Sequence, residues 1–139
     1  RPLELEGPRV LRAGDDLTLV GAGFSTRLCL QAAVELATQG VAAEVVDLRV
    51  INPLDPTPVV QSVAKTGRLV VVDGGWRTCG LAGEIIACVA ESPAQQSLRS
   101  PPARLTLPDA PAPASPALER AYYATAASIV AASLKQMAR

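Results

Sequence analysis

Short apolar runs alternate along this chain with longer segments in which apolar residues recur at helical spacing. The run at residues 17–21 contains β-branched residues and stops at glycine, which is typical of a buried strand, and residues 68–73 form the clearest buried run. The short runs predict strands at about residues 9–11, 17–21, 44–48, 68–73 and 103–107. The longer segments predict helices at about residues 25–38, 56–66, 81–91 and 126–137. Strands that alternate with helices indicate a parallel, Rossmann-like α/β sheet covered on both faces.

Local signals mark the ends of these elements. Ser25 is placed to cap the first helix, and Asp55 followed by Pro56 is typical of a helix start. Polar residues recur every four positions in the first helix, so we expect apolar contacts over most of its circumference. A glycine-rich turn is expected at residues 74–80, a loop follows the third helix, and the proline-rich stretch up to residue 116 is expected to be extended.

Composition narrows the classes of function. The 139 residues include 13 basic and 13 acidic side chains, and this balance argues against a nucleic-acid partner. No apolar run reaches the roughly 18 residues of a membrane span, so no membrane partner is expected. The absence of histidine excludes Ser-His-Asp and Cys-His catalytic sites and argues against a catalytic zinc site. Three cysteines without CxxC spacing favour a reducing compartment, so we expect the protein to be located in the cytoplasm.

The first candidate site is a glycine-containing turn between a strand and a helix. Gly21 and Gly23 follow a predicted strand, and Asp47 ends the next strand. This order resembles the dinucleotide fingerprint, in which glycine amides approach a pyrophosphate and an acid binds the ribose hydroxyls. Thr26 occupies the place of the third glycine, so a structural turn competes with a crevice for a dinucleotide or small molecule. In the structural interpretation, Gly23 leaves little space for a side chain.

The second candidate is the glycine-rich turn at residues 74–80. It contains the only tryptophan, Trp76, beside Arg77, and both residue types are enriched at interface hot spots. Gly80 would allow close approach to another backbone. The spacing does not match a phosphate-binding loop. A partner interface of Trp76, Arg77 and Gly80 therefore competes with a tryptophan that packs at the edge of its own core.

Carboxylates form the third candidate. Asp47 and Asp73 both end predicted parallel strands, where open α/β sheets place their ligand crevices. Their spacing does not indicate the close grouping that metal ligation needs, so solvated strand ends are expected. No metal ligand and no catalytic residue is predicted in this chain.

Several longer motifs point to one family. They lie at residues 10–23, 43–49, 51–55, 62–72, 74–85 and 104–122. Together they resemble the C-terminal domain of the transketolase family over about residues 9–138. The most similar branch is the beta subunit of thiamine-diphosphate-dependent 2-oxoacid dehydrogenases of the pyruvate, branched-chain or acetoin type. The chain departs from the family at Cys79, where a glycine is common, and at residues 123–125, where a Leu-Pro pair is usual.

The resemblance implies a three-layer α/β/α domain with a five-stranded mixed sheet whose first short strand runs antiparallel. Residues 1–8 are then a linker, and residues 9–139 form the domain, which is expected to be a piece of a longer protein. The family binds thiamine diphosphate and magnesium in other domains, so this domain is expected to have no cofactor and to be inactive alone.

The implied role is subunit association, either in a homo-oligomer or with a dehydrogenase alpha subunit, together with docking of an acyltransferase core. The parent reaction would be oxidative decarboxylation of a 2-oxoacid with acyl transfer to a lipoyl group. Two alternatives are a free-standing binding module that uses the crevice between Gly21 and Asp47, and a one-domain interaction protein of the same fold.

Overall fold

Strands and helices alternate through most of the computed structural model, which describes residues 7–139. The strands are β1 (Arg9–Arg12), β2 (Leu17–Gly21), β3 (Ala43–Asp47), β4 (Leu69–Trp76) and β5 (Ala103–Leu107). The helices are α1 (Phe24–Thr38), α2 (Thr57–Thr66), α3 (Leu81–Ala90), α4 (Pro116–Tyr122) and α5 (Ala126–Met137). A short 3₁₀ helix spans Pro93–Ser97. The predicted linker falls outside the described residues except for Gly7 and Pro8, which belong to no helix or strand.

The described strands form one mixed sheet in the order β1-β3-β2-β4-β5. β1 pairs antiparallel with β3, and the other three pairings are parallel. The prediction of a five-stranded mixed sheet with an antiparallel first strand is therefore confirmed. The parallel strands β2, β3, β4 and β5 end at the same edge of the sheet.

Apolar side chains cover both faces of the sheet and produce the three layers. Leu17 and Leu19 of β2 pack with α1 and α5, whereas Val20 packs with α2 and α3. This division follows from the alternation of side chains along a strand. The three-layer α/β/α arrangement is confirmed.

Two predicted details of the first helices are wrong. α1 begins at Phe24, so Ser25 lies buried in its first turn and does not cap it. α2 begins at Thr57, one residue after Pro56, although Asp55 Oδ1 does accept a hydrogen bond from the Thr57 N–H at 3.0 Å.

The outward face of α1 also differs from the prediction. Phe24 is 71% exposed and Val34 is 59% exposed, so other residues do not cover α1 over most of its circumference. The reason is that α1 packs on the sheet and on α5 only, which leaves its outer face without a layer above it.

The chain after residue 73 is more regular than predicted. β4 continues through Gly74 and Gly75 to Trp76, where a turn was expected, because Trp76 pairs with Leu107 of β5. α4 and the 3₁₀ helix lie in segments to which no helix was assigned. The Tyr122 hydroxyl donates to the Ala110 carbonyl at 2.8 Å and fixes α4 against the stretch that follows β5.

Buried polar groups connect α2 to the sheet at the amino ends of the strands. Thr18 Oγ1 lies 2.7 Å from both Ser62 Oγ and Thr66 Oγ1. Glu44, only 5% exposed, accepts hydrogen bonds from Lys65 Nζ at 2.5 Å and from the Gly14 N–H at 3.3 Å. These bonds satisfy groups that would otherwise be costly to bury.

No helix within residues 7–139 is both long and apolar enough to cross a lipid bilayer.

Candidate functional site

The turn after β2 is held by hydrogen bonds within the domain. Thr26 Oγ1 donates to Asp47 Oδ1 at 2.9 Å, and the Leu48 N–H donates to the Gly21 carbonyl at 3.0 Å. A Cβ placed on Gly21 would lie 2.7 Å from the Thr26 nitrogen. The Asp47 carboxylate is thus already engaged by the residue that replaces the third glycine. This geometry favours a structural turn over a nucleotide crevice.

Gly23 is constrained by its backbone conformation and not by lack of space. Its φ is 59° and its ψ is −124°, while a Cβ on Gly23 would meet no heavy atom within 4 Å. The expectation of a tight packing site is therefore wrong at Gly23. The close approach of strand and helix occurs two residues earlier, at Gly21, because α1 starts directly above it.

The Asp73 carboxylate organises the end of β4 and the start of α3. Its Oδ1 accepts from the Gly75 N–H at 2.8 Å, and its Oδ2 accepts from the Ala82 N–H at 3.1 Å. The second bond satisfies one of the free N–H groups in the first turn of α3. Asp73 is consequently a structural anchor and not a solvated strand end.

Gly80 lies where the turn after β4 packs against the Trp76 carbonyl of its own backbone. A Cβ at Gly80 would collide with the carbonyl oxygen of Trp76. The close backbone approach expected of this glycine is made within its own turn. We call residues 73–82, from the anchor Asp73 to the first turn of α3, the Asp73 turn.

Trp76 projects from the Asp73 turn and is largely uncovered. It is 59% exposed, and Arg77 beside it is also exposed. Trp76 borders an apolar hollow of about 390 Å³ whose other walls are Asp109, Ala110 and Pro111. A tryptophan that served only its own core would be buried, so this exposure favours the interface interpretation.

Arg104 is a neighbour of this surface that sequence reasoning missed. Its Nη1 donates to the Arg77 carbonyl at 3.2 Å. Both arginines line an open groove of about 730 Å³ beside the start of α3. Alternation along the predicted strand 103–107 would have placed Arg104 opposite the core-facing Leu105, but nothing in the sequence indicates which strand lies beside Arg77.

The exposed apolar side chains of α1 were also missed. Phe24 and Val34 lie on the outward face of that helix together with polar residues. The signal was present, since Val34 lies seven residues after Arg27 and three after Gln31, a spacing that puts it on the same helix face as these polar residues. Phe24 and Val34 are ten residues apart with polar side chains between them, so they do not form a continuous apolar patch.

Two of the three cysteines, Cys29 and Cys88, are poor nucleophiles, whereas Cys79 is exposed. Burial, and then the nearby Asp47 carboxylate, raise the pKa of the Cys29 thiol to about 12. Burial, and then the carboxylates of Glu84 and Glu91, raise the pKa of Cys88. Both thiols are therefore protonated at neutral pH, and a thiol is a weak nucleophile.

Metal ligation has no support in the described part of the chain. Within residues 7–139, no three side chains of the His, Cys, Asp and Glu types are grouped so that they could hold a metal ion. Asp47, which ends β3, and Asp73, which lies within β4, each form hydrogen bonds inside the domain.

Comparison with known proteins connects this chain to one family. Residues 8–129 match the family model described as transketolase, C-terminal domain. The chain is 42% identical over 128 residues to the acetoin:2,6-dichlorophenolindophenol oxidoreductase subunit beta of Cupriavidus necator, covering 92% of this chain and 38% of that protein. It is 41% identical over 122 residues to the mitochondrial pyruvate dehydrogenase E1 component subunit beta of Ascaris suum, covering 88% of this chain and 34% of that protein.

A solved structure agrees with these relatives. The structure described as a split gene transketolase, inactive beta4 tetramer, superposes with a TM-score of 0.81 at 30% identity, covering 94% of this chain and 41% of that one. The chain thus spans less than half the length of the proteins that it matches.

Proposed function

From the premise that the chain belongs to the transketolase C-terminal domain family, we propose that it is a non-catalytic assembly domain. Its parent would be the beta subunit of a thiamine-diphosphate-dependent 2-oxoacid dehydrogenase, or a related transketolase-like enzyme. The parent reaction would be oxidative decarboxylation of a 2-oxoacid with transfer of the acyl group to a lipoyl group.

The exposure of Trp76 is the observation on which the assembly role depends most. Its turn is anchored by Asp73 and closed at Gly80, so the tryptophan is presented by a fixed backbone. Its exposed fraction of 59% leaves a large aromatic surface in contact with water. Aromatic side chains on rigid supports are typical of interface hot spots, where burial by a partner contributes most of the binding energy.

The acidic groups of this domain support a non-catalytic role. Both Asp73 oxygens accept backbone hydrogen bonds, and Asp47 accepts one from Thr26. A general base must reach the proton that it removes, and these carboxylates are directed at their own domain. The sequence contains no histidine that could replace them.

The residues of this chain do not fit thiamine diphosphate with magnesium. A magnesium-bound diphosphate needs oxygen ligands grouped around the ion. Within residues 7–139 no such group of acids exists, and Asp47 and Asp73 are engaged in hydrogen bonds within the domain. We therefore assign cofactor binding to other domains of the parent and derive no reaction step in this one.

The partners that we propose are a second copy of the parent, a dehydrogenase alpha subunit and the acyltransferase core. Two relatives are named as beta subunits, which supports an alpha partner, and the similar transketolase structure is described as a beta4 tetramer, which supports a homo-oligomer. We propose a cytoplasmic location, supported by the three free cysteines.

Calorimetric titration of the chain separates this proposal from a dinucleotide-binding module. We expect no heat of binding with thiamine diphosphate and magnesium, or with NAD, because the Asp47 carboxylate is occupied by Thr26. A dissociation constant of about 10 μM or tighter for NAD, near −7 kcal/mol, would favour the crevice at Gly21 and Asp47 instead. Thr26→Gly, which restores the third glycine and frees Asp47, is the informative variant, since it should gain NAD affinity only if the crevice is a binding site.

A further inference from the structure

β5 forms an edge of the sheet whose outer side has no strand partner. It is the last strand in the sheet order and pairs only with β4. Within residues 7–139, no backbone hydrogen bond from another segment reaches residues 103–107. In a parallel sheet each strand directs N–H and C=O groups to both sides. One row of β5 backbone groups is therefore available for a further strand.

A groove runs beside this open edge on the α3 side of the sheet. Its volume is about 430 Å³, and it lies between α3 and β5. The residues that line it are Arg77, Gly83, Ile86, Ala87, Pro102 and Arg104. The groove lies where side chains of a sixth strand would project, and residues 121–124, which border Leu105–Leu107, line a separate hollow.

The groove is positively charged and contains no acid. Two of its lining residues are arginines, and neither forms an ion pair within the described residues. The Arg104 guanidinium has one hydrogen bond, to the Arg77 carbonyl, and so keeps unused N–H donors. Glu84 and Asp109 line neighbouring hollows beside the same arginines without pairing with them. An incoming carboxylate would find complementary donors here.

We propose that an extended acidic segment of a partner chain adds to β5 as a sixth strand. Its backbone pairs with the open edge, an Asp or Glu side chain lies between Arg77 and Arg104, and an apolar side chain two residues away contacts Ile86 and Ala87. Strand addition of this kind obtains affinity from backbone bonds and specificity from alternate side chains. The inference rests on the proposed assembly role, since it names the chemistry of one partner segment.

A second copy of β5 does not supply a carboxylate to the two arginines of the groove. The strand reads Ala-Arg-Leu-Thr-Leu and has no acidic residue. In an antiparallel β5 pair centred on Leu105, each Arg104 would lie opposite Thr106 of the other copy. Both guanidinium groups would then remain without a carboxylate, so the charge of the groove favours a different, acidic segment.

Fluorescence anisotropy of labelled peptides on the 139-residue chain tests the proposal. The probe is a blocked Thr-Glu-Thr-Val-Thr peptide, in which the glutamate and the valine two residues later face the same side of a strand. The controls are the same peptide with lysine in place of glutamate, and an N-methylated version that cannot form a strand. We expect the glutamate peptide to bind at least tenfold more tightly than either control, with an affinity that falls as salt is added. Arg104→Glu should reverse the preference in favour of the lysine peptide, whereas Arg27→Glu, an equal charge change on exposed α1, should leave it unchanged.

Three results would overturn the inference. Equal affinity for both peptides would mean that Arg104 only protects an edge strand from aggregation. Amide protection of β5 that rises with protein concentration alone would identify a second copy as the occupant. Undetectable glutamate-peptide binding by a folded chain would remove the site. The proposed assembly role fails separately, if the chain with an intact peptide site associates with no subunit.

Discussion

At the scale of single residues, Gly21 and Gly23 are glycines for different reasons. Gly21 touches the backbone of α1, so a side chain there would force strand and helix apart. Gly23 has open space around it but a positive φ of 59°, which side-chain-bearing residues rarely adopt. Only the first of these requirements depends on the packing between elements.

Alanine substitutions separate the two requirements. Gly23→Ala should cost about 1–3 kcal/mol of unfolding free energy from backbone strain alone. Gly21→Ala should cost more, because the Cβ would lie 2.7 Å from the Thr26 nitrogen and α1 must move. Urea unfolding of both variants measures the difference. A smaller loss for Gly21→Ala than for Gly23→Ala would contradict this account of the turn.

The turn at Gly21–Gly23 and the position of Trp76 can be predicted from the sequence, whereas the residues that contact them cannot. The sequence alone shows that Thr26 departs from the nucleotide fingerprint. The hydrogen bond from Thr26 to Asp47 does not follow from the sequence, because it depends on how β3 lies beside β2. Asp73 was expected to be solvated because the sequence does not reveal that its two oxygens face the Gly75 and Ala82 amides. Hydrogen bonds across a turn depend on tertiary geometry that spacing alone does not give.

At the scale of elements, the Glu44–Lys65 pair joins β3 to α2. Burial opposes ionisation of Glu44, but hydrogen bonds from Lys65, Ser62 and the Gly14 N–H lower the pKa of that carboxyl overall. The Glu44 hydrogen bond raises the pKa of Lys65. The predicted helix over residues 56–66 has Lys65 in its last turn, and the structure agrees. Nothing in the sequence indicates that Lys65 pairs with Glu44 of the sheet.

The Glu44–Lys65 pair makes the stability of the domain depend on pH. Because the pKa of Glu44 is lower in the folded chain than its ordinary value of 4.5, its contribution is present above pH 4.5 and is lost as the pH falls through the lowered value. Glu44→Gln should therefore cost about 1–2 kcal/mol at pH 7 and much less near pH 3. Urea melts of the variant and the natural chain at both pH values measure this, with Glu35→Gln on exposed α1 as the control. A cost that is the same at both pH values would contradict the ionic contribution.

Most elements could be predicted because their signals are local. Short apolar runs between glycine, proline and charged residues predict four of the strands nearly to the residue, and β4 is longer than predicted because Gly74 and Gly75 are weak strand formers. α4 was missed because it is only seven residues long and follows a proline-rich stretch. The strand order, and with it the open edge at β5, is a tertiary property without a local signature.

At the scale of the whole molecule, the family resemblance read from the sequence is confirmed by the match over residues 8–129. The same resemblance supplied the mixed sheet, which the alternation of strands and helices alone would have given as wholly parallel. Large apolar side chains, Trp76 among them, are exposed at several places on the described surface. In the assembly role that we propose, Trp76 would supply aromatic surface to a partner, whereas Asp47 and Asp73 form hydrogen bonds within the domain.

Sedimentation velocity over a concentration series tests this central claim most directly, when it is combined with thermal melts of the same samples. The natural chain should show an average mass that rises above the monomer value of 14.4 kDa as its concentration increases. Trp76→Ala should weaken the association at least tenfold while changing the melting temperature by no more than about 2 °C, because Trp76 is mostly exposed. Val10→Ala, which removes an exposed apolar side chain from β1 at the opposite edge of the sheet, should leave the association unchanged. A chain that stays monomeric at every concentration, or a Trp76→Ala variant that loses stability without losing association, would contradict the assignment of this surface to assembly.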